Sequence, residues 1–172
     1  MIAEIVNCFE LRVEDIKHLV KDLDDELMIE MPAPEMDHPA WIIGHLTFTI
    51  QETGKQVGMH PWLPKDWSQM FVKDANISSD PDTYPKKQKL MEEFESGEKH
   101  IITSLNKLKE SQLVISANQK KSNKNFPTIF SRLSPTVGHL ILNTLVGHFS
   151  IHVGQLSAWR RAMNLPKITE VC

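Results

Sequence analysis

The sequence predicts an all-α fold, a four-helix bundle, and three observations carry that expectation. Apolar residues recur at spacings of three and four in four separate stretches of the 172-residue chain, the signature of helices with one buried face. No stretch of useful length alternates apolar and polar residues as a half-buried strand does, and no internal repeat is present. Hydrophobic residues make up 41% and charged residues 24%, the composition of a chain able to bury a core, so residues 1–172 are expected to form a single domain.

The first stretch places Ile2, Ile5, Val6, Phe9, Val13, Ile16, Val20, Leu23 and Leu27 on one face. The acidic run from Asp22 to Glu26, followed by Pro32 and Pro34, ends it, because proline lacks a backbone donor and disfavours helix in the preceding residue. A second helix is expected over roughly 38–57, capped by Asp37 or His38, with Pro39 in its first turn and Gly58 as its stop. The third covers about 85–109, with Leu90, Phe94, Ile101, Leu105 and Leu108 on its apolar face and Gly97 as a weak point. The fourth opens at Ser134-Pro135, runs over about 135–163 and closes at Asn164 and Pro166. Residues 118–125 are polar and read as a solvated loop.

The connection from Gly58 to Thr83 is too long for a simple turn. Trp62, Trp67 and Phe71 argue that it is ordered. It is either a surface loop pinned by these rings or a lid or pocket wall, and it either covers one end of the bundle or crosses it so that the second and third helices run parallel.

Charge and cysteine content exclude several functions. The formal net charge is −3, and no Lys/Arg block supplies the clustered positive charge that nucleic acid requires. Two cysteines, Cys8 and Cys172, cannot build a disulfide scaffold or a cysteine-rich zinc module. The N-terminal segment has neither a basic flank nor a continuous apolar run, so it is not a signal peptide and a cytoplasmic location is expected. Leu133 to Trp159 holds no Asp, Glu, Lys or Arg, yet its Ser134, Thr136, His139, Asn143, His148, His152 and Gln155 would be costly in hydrocarbon. A helix buried in a bundle, not a membrane span, is expected there.

Eight histidines remain as the unusual feature. His148 and His152 are four apart on the fourth helix, in a stripe with Ile141, Leu145, Gln155 and Trp159, so their rings share a core-facing side. Two buried imidazoles are hard to satisfy with hydrogen bonds alone, and an i, i+4 pair offers adjacent positions to a metal ion. His45, set among Trp41, Ile42, Leu46 and Phe48, is the candidate third ligand from the second helix. Three neutral histidines leave a position open for water or substrate, and suit zinc, nickel, iron or manganese. Gln155 and Glu52, each seven residues beyond a candidate ligand, can orient a ligand, bind substrate or move a proton; a helix-interface bond for Gln155 and a solvated face for Glu52 are the alternatives. His139 lies about half a turn away in angle, and Arg160 and Arg161 bind an anion or complement the helix dipole.

His38-Pro-Ala-Trp-Ile-Ile-Gly-His-Leu46 resembles the second-helix signature of the DinB/YfiT-like metalloenzymes. His148-Phe-Ser-Ile-His-Val-Gly-Gln-Leu-Ser-Ala-Trp-Arg-Arg161 resembles their fourth-helix signature, and Trp67 to Phe71 with Tyr84-Pro85 resemble one branch of that family. The resemblance implies a four-helix bundle, often a homodimer, with a divalent metal on three histidines that map to His45, His148 and His152. It also implies the chemistry of relatives such as bacillithiol S-transferases and a mycothiol-dependent maleylpyruvate isomerase: transfer of a low-molecular-weight thiol cosubstrate to a small-molecule electrophile. A metal-dependent hydrolase and a non-catalytic metal- or small-molecule-binding stress protein are the alternatives.

Overall fold

A computed structural model describes residues 1–34, 36–73, 75–117 and 133–168. The predicted loop at 118–125 and Cys172 lie outside the described residues. The described residues are helical and contain no strand, as an all-α fold requires.

Helix α1 (Ile2–Val20) buries Ile5, Val6, Phe9, Val13 and Ile16, the predicted stripe. It stops short of the last two apolar positions: Leu23 is buried beyond its end, and Leu27 opens a 3₁₀ turn, Leu27–Ile29. Helix α2 (Pro39–Gly54) is capped by His38 and prolonged by the 3₁₀ turn Lys55–Val57, after which Gly58 takes φ 86°, the left-handed stop that glycine adopts without strain. A short helix α3 (Trp67–Met70) lies in the connection, and α4 (Lys87–Leu105) runs unbroken through Gly97. The α5 turn (Glu110–Leu113) has no counterpart in the expected elements.

The last helix departs from the sequence expectation. It consists of α6 (Val137–Ile141), a π-helical segment (Leu142–His148) and α7 (Phe149–Ala162). Its cap is Thr136, whose hydroxyl accepts from the His139 backbone N–H, instead of Ser134. Asn164, at φ 54°, closes it as expected. A π turn is wider than an α turn and shifts the faces after it.

Contacts between side chains fix the helix directions. Phe9 meets Phe149, and Arg160 bonds the Leu19 carbonyl, so α1 and α7 run parallel. Lys17 pairs with Glu98 on α4 while Asp25, beyond the end of α1, accepts from the Lys87 backbone N–H, so α1 and α4 are antiparallel. His38 packs on Tyr84 at the start of α4, and Ile50 lies near Gly97, so α2 and α4 run parallel. The 55–86 connection therefore travels back along the length of α2, about 24 Å for 16 residues at 1.5 Å each. This is one long crossover, the arrangement that lets sequential helices run parallel. Its Trp67 and Phe71 belong to the core.

Arg160, weighed above as an anion ligand or a dipole partner, is instead a buried tie. It donates to the carbonyls of Leu19 and Pro166 and to both carboxylate oxygens of Asp22. No helix among the described residues is long and apolar enough to cross a membrane.

Candidate metal centre

The site is built on α2 and on the junction between the π segment and α7. His38 begins it: its extended backbone ends the preceding chain, and its Nδ1 accepts the Trp41 backbone N–H at 3.1 Å. With Nδ1 an acceptor, Nε2 carries the hydrogen and donates to the Ser78 carbonyl at 3.0 Å. One fully buried imidazole thus starts α2 and ties the crossover to it.

Two turns later His45 presents Nδ1 to the Phe71 carbonyl at 2.8 Å. A carbonyl only accepts, so Nδ1 holds the hydrogen and the Nε2 lone pair is left facing the centre. Gly44 permits this: a Cβ there would stand 2.1 Å from the Phe71 ring. The crossover is thus a wall of the site, whose contribution is a backbone oxygen.

His45 Nε2 lies 3.3 Å from His148 Nε2, and His148 Nε2 lies 3.0 Å from His152 Nε2. The three histidines offer ligand atoms that all fall within 4.8 Å of one another. Nitrogens about 2.0–2.1 Å from an ion stand roughly 3.3 Å apart at tetrahedral angles and roughly 2.9 Å apart at right angles. These two separations lie in that range and the third pair falls within 4.8 Å, so the donor set could hold a divalent ion that accepts imidazole. No assignment of ring hydrogens satisfies all six nitrogens, since Nδ1 of His148 and of His152 are buried without a protein partner.

Burial holds the rings neutral, the form that binds metal. It lowers the His45 pKa below the ordinary imidazole value, against the bond to Phe71. Burial and then the neighbouring His45 push His148 down to about 4, and burial followed by the other two rings lowers His152 further, with Gln155 the one neighbour acting to raise it. His45 and His152 are 7% and 5% exposed, whereas His148 is half-buried, so the cluster opens to solvent on the His148 side. Trp41 covers the other flank, stacked on His45 with ring centroids 4.7 Å apart and planes 9° from parallel.

The remaining candidates lie outside this triangle. Gln155 does not continue the buried stripe but is exposed, with Nε2 3.5 Å from Asp37 Oδ2. Three residues on within regular α7, position 155 sits about 60° from 152, on the side away from the buried Val153 and Leu156. Glu52 is not among the converging atoms and pairs with Lys55 on a half-exposed face. His139 hydrogen-bonds Thr136 at the surface, and the exposed His100 packs on Trp62. Asp37, read above only as a cap, sits at the rim, its carboxyl held above the ordinary range by burial. No side-chain pattern announces the Phe71 carbonyl, because every residue carries one.

The chain superposes on a solved structure described as a conserved protein from Enterococcus faecalis, with a TM-score of 0.68 and 17% identity over 93% of this chain and 95% of that one. At that identity the likeness concerns the fold. No family model matches the chain, and no curated protein matches its sequence.

Proposed function

We propose that the protein is a metal-dependent enzyme of the DinB/YfiT-like type that transfers a small thiol to a small electrophile. The observation that carries the reading is the convergence of three neutral Nε2 atoms from His45, His148 and His152 around a point reachable from the half-buried His148 side. The signatures around His45 and His148 support the family. A divalent ion held there would lower the pKa of a thiol or water placed in its open position.

The residues have distinct tasks. His45, His148 and His152 supply neutral nitrogen donors, and the Phe71 carbonyl fixes the tautomer and angle of His45. Trp41 and the crossover keep water from the His45 side. Gln155, a neighbour of His152, reaches Asp37, a carboxylate at the rim that can take up the proton a thiol releases. In the transfer a sulfur–carbon bond forms as the bond from carbon to its leaving group breaks, and the departing group keeps that electron pair. Three nitrogen ligands do not choose between zinc, nickel, iron and manganese.

The test follows N-acetylcysteine consumption with an activated aryl chloride, using protein loaded in turn with each metal. Metal-dependent thioether formation that disappears in His148→Ala is expected. Ester or amide cleavage without thioether formation would move the assignment to a hydrolase, and a loaded protein that accelerates neither reaction would be a binding protein. The homodimer belongs to the same proposal, and sedimentation velocity reads it directly.

A further inference from the structure

Three side chains, one at the cap of α2 and two within it, hold the main chain of the crossover. His38 Nε2–H donates to the Ser78 carbonyl at 3.0 Å and His45 Nδ1–H to the Phe71 carbonyl at 2.8 Å. Gln51 Oε1 accepts the backbone N–H groups of Trp62 and Leu63, both at 2.9 Å. All three side chains are more than nine-tenths buried. As the positions along α2 rise from 38 to 51, those on the crossover fall from 78 to 62, so the connection lies along the helix as a strap with a tie near each end and one in the middle. Of the three, His45 alone belongs to the histidine cluster.

That middle ring has two uncharged states with opposite consequences. With its hydrogen on Nδ1, His45 holds the strap, and its Nε2 lone pair faces His148 Nε2 at 3.3 Å. With the hydrogen on Nε2 it bonds His148 instead and sets an Nδ1 lone pair against the Phe71 carbonyl oxygen, which repels the strap. The contact between His45 and His148 needs a hydrogen on one of the two Nε2 atoms. His148 has one to give at most and a nearer neighbour in His152 at 3.0 Å, so without an ion the second state competes with the first. A cation on His45 Nε2 admits only the first state. It also draws electrons from the ring and makes Nδ1–H a stronger donor.

We propose that the crossover is a metal-responsive strap: the stretch around Phe71 is held on α2 when an ion sits on His45 Nε2 and opens more often when the site is empty. The inference rests on the metal reading above and extends it, because coupling between two equilibria is reciprocal. An outer bond to a metal ligand is worth about 10–100-fold in metal affinity, so the ion reduces opening of the strap by the same factor. Trp67 and Phe71 are 2% and 0% exposed and leave the core only when the strap lifts as a unit, which makes opening a rare and cooperative event. No group changes charge in the switch; the His45 tautomer is the element that both the ion and the strap bias.

Hydrogen exchange read by mass spectrometry measures the opening, since the backbone N–H groups of residues 67–71 are all bonded within the strap. Metal-free wild type is compared with wild type loaded with zinc, nickel, iron or manganese, and uptake is measured on the same samples by native mass spectrometry. Loading is expected to slow exchange at 67–71 by about 10–100-fold and to change the α5 turn and the first turn of α1, ends that open locally, by less than about twofold. Gln51→Leu removes an outer tie and is expected to speed exchange at 67–71 in both states while leaving their ratio unchanged, because the coupling runs through His45. Metal uptake with unchanged exchange at 67–71, equal slowing at the two control ends, or a ratio abolished by Gln51→Leu overturns the strap and leaves the metal reading standing. A wild type that takes up none of the four ions defeats the metal reading, and the strap with it.

Discussion

Gly44→Ala tests the link between the crossover and the metal centre. The new Cβ would lie 2.1, 2.3 and 2.4 Å from three atoms of the Phe71 ring. Reaching an ordinary carbon contact of about 3.5 Å requires the ring to move by about 1.4 Å. Phe71 is fully buried and packs against Trp67 and Tyr84, so it cannot swing into solvent. Overpacking of this kind costs about 1–3 kcal/mol, partly offset by the roughly 0.5–1 kcal/mol that alanine gains over glycine in a helix. A net loss of about 1–2 kcal/mol lowers Tm by roughly 3–6 °C in a chain of this size. The displaced ring drags the Phe71 carbonyl from His45 Nδ1, and loss of such an outer bond weakens metal binding by about 10–100-fold. Thermal unfolding gives the first quantity, and titration against a chelator of known affinity gives the second. A Gly44→Ala protein with wild-type stability and metal affinity would refute the reasoning. Gly154→Ala is the control: no atom lies within 4 Å of its added Cβ, so a gain of about 0.5–1 kcal/mol is expected.

Three further outcomes follow from the same contacts. His38, His45, His148 and His152 all have pKa values lowered by burial, so below pH 6.5 the unfolded chain binds more protons than the folded one. Metal-free stability is therefore present above about pH 6.5 and falls as the pH drops toward 4; unfolding midpoints that stay flat between pH 7 and 5 would contradict this. Arg160→Met removes a buried cation that serves two carbonyls and Asp22, and costs about 2–3 kcal/mol by denaturant unfolding, whereas Asp22→Asn, on the half-exposed side of the pair, costs less than about 1 kcal/mol. Glu52→Gln leaves metal affinity and turnover at wild-type levels, because its partner is Lys55; a tenfold loss would return it to the site.

What the sequence disclosed depends on which atoms carry the signal. Periodic apolar positions located the helices, since burying one face is the dominant requirement on each, and the length of 58–83 with its three rings pointed to an ordered connection, whose path, over one end of the bundle or across it, the sequence left open. Spacing alone paired His148 with His152, and the Trp-Ile-Ile-Gly-His context picked out His45. The π segment was less visible. Its trace is the buried run Ile141, Leu145, Phe149 and Val153, spaced uniformly by four, which drifts about 40° per step on a regular α-helix and stays on one face only if the helix is locally wider. Gln155, placed inward by its spacing from His148, falls beyond the edge of the buried face of α7 and is exposed. The Phe71 carbonyl and the other ties between α2 and the crossover are properties of three-dimensional packing and leave no mark in a residue pattern. Arg160 looked like a surface charge at a helix end because its partners, Leu19 and Asp22, are far away in the chain.

The most direct test of the central claim is the metal content of the purified protein, measured by inductively coupled plasma mass spectrometry beside His148→Ala. Close to one divalent ion per chain in the wild type, and loss of that ion in the variant, is the result predicted. Equal metal content in the two proteins, or a wild type that acquires no ion when offered zinc, nickel, iron or manganese, would contradict it.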